Sequence, residues 1–432
     1  MSGRGRGGRA GAAGPGGGPD ERGQSAAGTA KGVTGGRVGP APDDFRASPN
    51  PIAHAYTRFG VADRLLLTGH SHQAWPDVAM EGQQRAWLDA AEHVDDKWAH
   101  VAERTSRVAE GYRRMMGGCD GDMAFDANTH ALVTRFLSAL PFRARPRVVT
   151  TDGEFHTIRR QLDRLAEEGI EVVKVPARPV ASLTARMAEA VDDRTACAML
   201  SSVLYEPGLI VPDLAAVAAA CALHGAELLI DAYHQLNVAP FDPSGLERAF
   251  VVGGGYKYCQ MGEGVCVLRV PPDCELRPVL TGWFSEFGEL AEAKSPGEVR
   301  YGSGAARFAG STFDPTAHYR AAAVLGFFED EGLDVPLLRA VSQRQVGLLA
   351  KTFLAHDLDP AVVGLDESTP VEARAGFLGL VSPRAGELSA ALRERGVRTD
   401  FRGDMLRFGP APYLEERQIV AAIDALAEVV RG

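Results

Sequence analysis

The sequence predicts an α/β fold: a large domain with a mostly parallel sheet flanked by helices, followed by a small C-terminal α+β domain. Three observations carry this expectation. Short apolar runs alternate with helix-period segments from Met123 to Val270, as in a parallel sheet covered by helices on both faces. Beyond Pro315 that alternation is lost. Two of the apolar runs end in turns rich in reactive groups, Asp231-Ala232-Tyr233-His234 and Gly255-Tyr256-Lys257-Tyr258, and ligands of such sheets sit at the carboxyl ends of the strands.

Taken in order, residues 1–45 are Gly, Arg, Ala and Pro without periodicity, and a disordered leader is expected because such a segment buries too little apolar surface to order itself. Residues 46–314 hold an N-terminal segment and the large domain, and 315–432 the small domain. Residues 78–116 read as one or two amphipathic helices, with Met80, Trp87, Ala91, Val94 and Trp98 at helical spacing. Strands are expected at 123–125, 147–150, 171–175, 196–200, 228–231, 250–252 and 264–270. Helices are expected between them, at 129–140, 158–168, 183–191 and 213–223, the last with Pro212 at its start. The small domain reads as helices at 315–331 and 335–353, a strand at 376–381, a helix at 385–395, a strand pair around Val397 and Leu406-Arg407-Phe408, and a closing helix from Glu415.

With 432 residues the chain is long enough for two or three domains, and its net charge of −10 argues against a nucleic-acid partner. No apolar stretch reaches the length of a membrane span, and the N-terminus lacks the apolar core of a secretory signal. The six cysteines show no CxxC pairing, so reduced thiols in a cytoplasmic protein are expected, with no metal site.

Lys257 is the most informative residue. It is one of only six lysines in the chain, and it alone follows a buried-strand pattern and lies in a Gly-rich turn. A strand ending in Asp and a second ending in a Gly-flanked Lys suit pyridoxal 5'-phosphate (PLP): the amine forms a Schiff base with the aldehyde, and Asp231 keeps the pyridine nitrogen protonated. Asn128 and Thr129 open a helix at a strand end, either an anion site for the phosphate or an ordinary N-cap. Phe155, beside His156, is a ring for the pyridine face or a core residue. Arg407, in an apolar strand before Gly409-Pro410, suits a substrate carboxylate or a structural ion pair. Trp283 and Phe284 form an aromatic loop, either a core edge or a subunit contact.

Asp231-Ala232-Tyr233-His234, Gly255-Tyr256-Lys257-Tyr258, Gly282-Trp283-Phe284-Ser285 and Arg307-Phe308-Ala309-Gly310-Ser311-Thr312 occur in the order and spacing of kynureninases. So do Arg395-Gly396-Val397-Arg398-Thr399-Asp400-Phe401-Arg402 and Leu406-Arg407-Phe408-Gly409-Pro410. Over roughly residues 60–430 the chain resembles this family, in the class V branch of fold type I PLP-dependent enzymes. The resemblance implies a homodimer with active sites at the subunit interface and a small-molecule amino acid substrate. It implies that Lys257 is the Schiff-base lysine, Asp231 the pyridinium partner and Phe155 the stacking ring. It further implies that Asn128, Thr129, Ser201, His234 and Tyr256 line the cofactor, that Trp283, Ser311 and Thr312 come from the neighbouring subunit, and that Arg407 holds the α-carboxylate. The implied reaction is hydrolysis of the Cβ–Cγ bond of kynurenine, 3-hydroxykynurenine or a related γ-keto amino acid, to an aromatic acid and alanine.

The departures from the family pattern lie on the substrate side. Gly69-His70-Ser71-His72-Gln73-Ala74-Trp75-Pro76 stands where Asn-Ser-Leu-Gly is usual, and Ala102-Glu103-Arg104-Thr105-Ser106-Arg107 has no His where a ring-contacting one is expected. His70, His72, Gln73 and Trp75 form either a different substrate pocket or an ordinary entry loop. Other readings are another class V enzyme, an aminotransferase or lyase, and a non-catalytic binding protein. Cysteine desulfurase is the least attractive of these, because no Cys follows Cys274 to serve as a late-loop nucleophile.

Overall fold

The computed structural model describes residues 39–290, 292 and 295–432. The expected leader therefore lies, up to residue 38, outside the described residues. Residues 42–46 form a 3-10 turn, and its Phe45 is 1% exposed. Ordered, packed chain thus begins several residues before the expected boundary.

In chain order the elements are β1 (Leu65–Leu66), α1 (Val78–His93), α2 (Lys97–Met115), β2 (Asp122–Asp126), α3 (Thr129–Ala139), β3 (Arg147–Thr151), α4 (His156–Glu167), β4 (Glu171–Val175), α5 (Leu183–Ala190), β5 (Thr195–Ser201), α6 (Leu214–His224), β6 (Glu227–Asp231), β7 (Phe250–Gly254) and β8 (Cys266–Val270). Then come α7 (Thr316–Asp330), α8 (Val335–Ala355), β9 (Leu378–Val381), α9 (Ala385–Glu394), β10 (Val397–Arg398), β11 (Asp400–Arg402), β12 (Met405–Phe408) and α10 (Glu416–Arg431).

The central sheet has seven strands in the order β2-β8-β7-β6-β5-β3-β4. β7, β6, β5, β3 and β4 run parallel, and β8 pairs antiparallel with both β7 and β2. Every residue of β5, β7 and β8 is buried, which is why these strands read as unbroken apolar runs. In register, Ser201 stands beside Asp231 and Asp231 beside Val252. The carboxyl ends of three adjacent strands thus gather the site.

Three expectations change. First, Met80, Trp87 and Val94 are exposed, and α1 instead buries Ala79, Gly82, Ala86 and Asp89. A side chain at Gly82 would meet the Tyr319 carbonyl at 2.7 Å, so this small-residue face lets α1 lie directly on α7. Second, the strand pair expected around Val397 and Leu406–Phe408 does not form. Val397 pairs in parallel with Leu65, while β12 lies between β11 and β9. Third, the N-terminal segment is tied to the C-terminal part: Asn50 Nδ2 donates to the Pro412 carbonyl at 2.9 Å, and Gln418 Nε2 to the Val61 carbonyl at 2.8 Å. The cysteines are free thiols, all buried except the partly buried Cys274. Among the described residues no helix is long and apolar enough to cross a membrane.

Candidate active site

A cavity of about 330 Å³ opens at the strand ends, lined by Asn128, Thr129, Phe155, Ser201, Asp231, His234, Tyr256 and Lys257 among others. Lys257 follows β7 through Gly255-Tyr256. Its amine lies 2.7 Å from His234 Nε2, 4.5 Å from the Tyr233 ring centre and 5.5 Å from that of Phe155. Burial pulls its pKa from the usual 10.5 down to about 7, with Asp231 opposing the shift. Asp231 ends β6 and accepts from the Tyr233 amide at 2.9 Å; burial raises its pKa, against that bond and the nearby lysine charge. Burial, and then Lys257, holds His234 well below the ordinary imidazole range. Its Nδ1 is buried without a partner.

Asn128 caps α3, its side chain accepting from the Ala131 amide at 2.9 Å. The capping role is therefore real, and α3 also brings a helix N-terminus, with its positive dipole end, to the cavity wall. Phe155 packs edge-on against Tyr205, with ring centres 5.4 Å apart. His72 stacks on Tyr256 at 4.7 Å, and His72 Nε2 lies 3.6 Å from Glu263, another residue of the cavity wall.

The remaining expected residues stand elsewhere. Trp75 packs against the core, beneath the Arg320 guanidinium at 4.7 Å and against Phe59. Gln73 is buried and accepts from Gln260 at 2.8 Å. His70 is fully buried and bonds Asp400 at 2.7 Å. None of these variant-loop residues lines the cavity; His72 and Gln73 only touch residues that do, His72 through Tyr256 and Glu263 and Gln73 through its amide bond to the Tyr256 carbonyl. Trp283 is 43% exposed and donates from Nε1 to Ser311 Oγ at 3.1 Å. Ser311 and Thr312 line a second cavity of about 780 Å³, which shares Ala127 and Glu263 with the first and also takes in Thr105 and His318. Arg407 does form the ion pair weighed for it, with Asp400.

Sequence reasoning missed Glu154. It is 2% exposed and accepts from Thr151 Oγ1 at 2.6 Å, Ser201 Oγ at 2.6 Å and the Ser201 amide at 3.1 Å. Burial, against the bonds from Ser201 and Thr151, lifts its pKa to about 7. An acid directly before the candidate stacking ring was the available signal.

An amine for an aldehyde, a carboxylate for a pyridine nitrogen, a ring for its face and a helix N-terminus for a phosphate now border one cavity. Residues 127–335 match the aminotransferase class-V family, and residues 338–426 match the kynureninase C-terminal domain. The chain is a kynureninase-like member of the class V, fold type I PLP-dependent enzymes. Its cofactor is PLP, and the unpartnered His234 Nδ1 is a buried polar atom that such a ligand would satisfy.

A kynureninase of Deinococcus radiodurans is 27% identical over 409 residues, covering 88% of this chain and 94% of that protein. A kynureninase of Burkholderia pseudomallei is 26% identical, covering 88% and 93%. An isopenicillin N epimerase of Streptomyces clavuligerus is 27% identical over a shorter stretch, 46% of this chain and 51% of that protein. Among solved structures, a lysine-to-alanine mutant of C-DES with glycine covalently linked to the PLP cofactor superposes with a TM-score of 0.77 at 19% identity, covering 88% of this chain and all of that one. A cysteine desulfurase from Thermococcus onnurineus superposes with a TM-score of 0.74 at 15% identity, covering 92% and all of that chain. At such identities the likeness shows the fold. No group of His, Cys, Asp and Glu among the described residues is placed to hold a metal ion.

Proposed function

We propose that the protein hydrolyses the Cβ–Cγ bond of kynurenine, 3-hydroxykynurenine or a related γ-keto amino acid, releasing an aromatic acid and alanine. The observation that carries this reading is the near full-length match to kynureninases together with the kynureninase C-terminal domain at 338–426. The bound cofactor supplies an electron sink for the substrate α-carbon.

In this reading Lys257 anchors the cofactor and then, as a free amine, removes and returns the proton at the α-carbon. A pKa of about 7 leaves much of that amine unprotonated near neutrality. Asp231 keeps the proton on the pyridine nitrogen. His234 accepts from the lysine and orients it. Phe155 would shield a face of the bound cofactor's ring from water, and the α3 N-terminus would hold its phosphate. Water adds to the side-chain carbonyl, and Arg407 holds the α-carboxylate. The working unit is a cytoplasmic homodimer in which Trp283, Ser311 and Thr312 reach the partner's cavity, in keeping with the exposure of Trp283.

Mixing the PLP-loaded protein with L-kynurenine and with 3-hydroxykynurenine tests this. Equimolar release of aromatic acid and alanine is expected, and absence of both with cofactor bound sinks the proposal. In that case another class V activity, an aminotransferase or lyase on a different amino acid, takes its place. The segment 102–107 favours that alternative: it has no histidine where kynureninases are expected to place one, and its Thr105 instead bonds the buried His318 at 3.0 Å in the wall of the second cavity.

The lysine also has a measurable pH signature. Uptake of PLP by the cofactor-free protein is expected to accelerate with pH and level off above about 7, because the unprotonated amine is the reacting form. Stopped-flow absorbance reads the rate, and a plateau reached only near the ordinary lysine value of 10.5 would contradict the assignment.

A further inference from the structure

We propose that Asp400 is a positioning residue that aims Arg407 at the substrate carboxylate, and that His70 fixes Asp400 in that task. This rests on the reading of Arg407 given above. Asp400 and Arg407 are register partners on the antiparallel pair β11–β12. Asp400 Oδ1 accepts from Arg407 Nε at 2.9 Å and Oδ2 from Nη2 at 2.6 Å, a two-point grip on one edge of the guanidinium. The Tyr205 carbonyl, from a residue of the cofactor cavity, accepts from Nη1 at 2.6 Å.

A guanidinium has five N–H donors. Three are used, which leaves one on each terminal nitrogen for an incoming carboxylate. The Arg407 side chain is 3% exposed, so those two donors lie in an environment where a carboxylate is worth far more than in water.

Asp400 is itself held from three sides. His70 Nε2 bonds Oδ1 at 2.7 Å, and Arg402 Nη1 lies 3.7 Å from Oδ2. Burial keeps His70 neutral, with a pKa of about 4. The carboxylate is buried too, but His70 and Arg407 hold it well below the usual range. Two guanidiniums thus share one carboxylate beside a neutral ring, and the cluster keeps one net positive charge for an incoming anion. Gly409 belongs to the same device, since any side chain there would strike the His70 ring. Phe377 links the cluster to the reactive amine: it lies 5.5 Å from the Arg407 guanidinium, 4.6 Å from His70 and 5.9 Å from His234, the partner of Lys257.

The test titrates PLP-loaded protein with L-alanine and with its carboxylate-free counterpart L-alaninamide, reading each affinity from the change in cofactor absorbance. Asp400→Asn is expected to weaken L-alanine at least about tenfold while leaving L-alaninamide and cofactor content unchanged. Arg407→Ala should do the same. If Arg407→Ala weakens L-alanine selectively and Asp400→Asn leaves it unchanged or tighter, the positioning role is overturned and the Arg407 reading stands. If both variants leave L-alanine unchanged, the Arg407 reading falls and the proposal with it. Equal weakening of both ligands by Asp400→Asn marks a merely structural residue and also overturns the proposal. Should Asp400→Asn fail to fold, His70→Gln replaces it: selective weakening of L-alanine supports the proposal, and unchanged or equally weakened binding of the two ligands overturns it.

Discussion

Lys257→Ala is expected to abolish covalent capture of the cofactor and to lower turnover by at least about 10³-fold, since one residue carries both anchoring and proton transfer. Borohydride reduction of the wild-type holoenzyme followed by peptide mapping should fix the cofactor on Lys257, one of six lysines in the chain. In the variant the label should be absent, while PLP still binds reversibly through the contacts that remain around the cavity. Because the lysine is packed among the His234, Tyr233 and Phe155 rings, alanine leaves a void and takes a neighbouring positive charge from the buried Asp231, which protonation of that acid relieves, and the fold should survive. A label on any other lysine would remove Lys257 from the chemistry.

Asp231→Ala should be nearly as damaging, through a different route. Removing one member of a buried charge pair costs about 3–5 kcal/mol, or roughly two to four orders of magnitude in rate. The lysine linkage should persist, because Lys257 bonds His234 and not Asp231. Activity should therefore collapse while reducible cofactor remains. Activity within tenfold of wild type would show that the pyridine nitrogen needs no carboxylate here. Glu154 is the residue to watch in that event: it bonds Ser201, the register neighbour of Asp231, and is raised in part by the Asp231 charge.

Much of this was legible in the chain. The inner strands bury both faces, so they appear as apolar runs, and the residues just past them had to stand at one edge of the sheet. That logic located Asp231, Lys257 and the Asn128-Thr129 turn without any structure, whereas Ser201 entered only through the family resemblance. Spacing alone misjudged α1, because its Met80, Trp87 and Val94 point outward while Ala79, Gly82 and Ala86 face α7; a tight helix–helix contact is made by small residues that a hydrophobic stripe does not reveal. The Asp400 partner of Arg407 was within reach: the Gly403-Asp404 turn joins β11 to β12 and fixes 400 opposite 407. The burial of His70 against it was not, because that contact joins residues 330 positions apart.

That separation bears on how the chain is made. Leu65 and Leu66 find their strand partners only at Val397 and Arg398, and Thr68 bridges to Gly409. During synthesis at roughly 5–20 residues per second, the N-terminal segment waits on the order of 15–70 s before its partner emerges from the ribosome. Until then Leu67, fully buried in the finished molecule, lacks the Arg398 carbonyl that its amide bonds at 2.9 Å, and Tyr56 lacks the Tyr413 ring it packs against at 4.8 Å. The central sheet, whose strands span 122–270, is synthesised in the interval and can close first. The pairing of residues 65–68 with 397–409 has to wait for the last part of the chain to be made, and the same pairing brings His70 to Asp400.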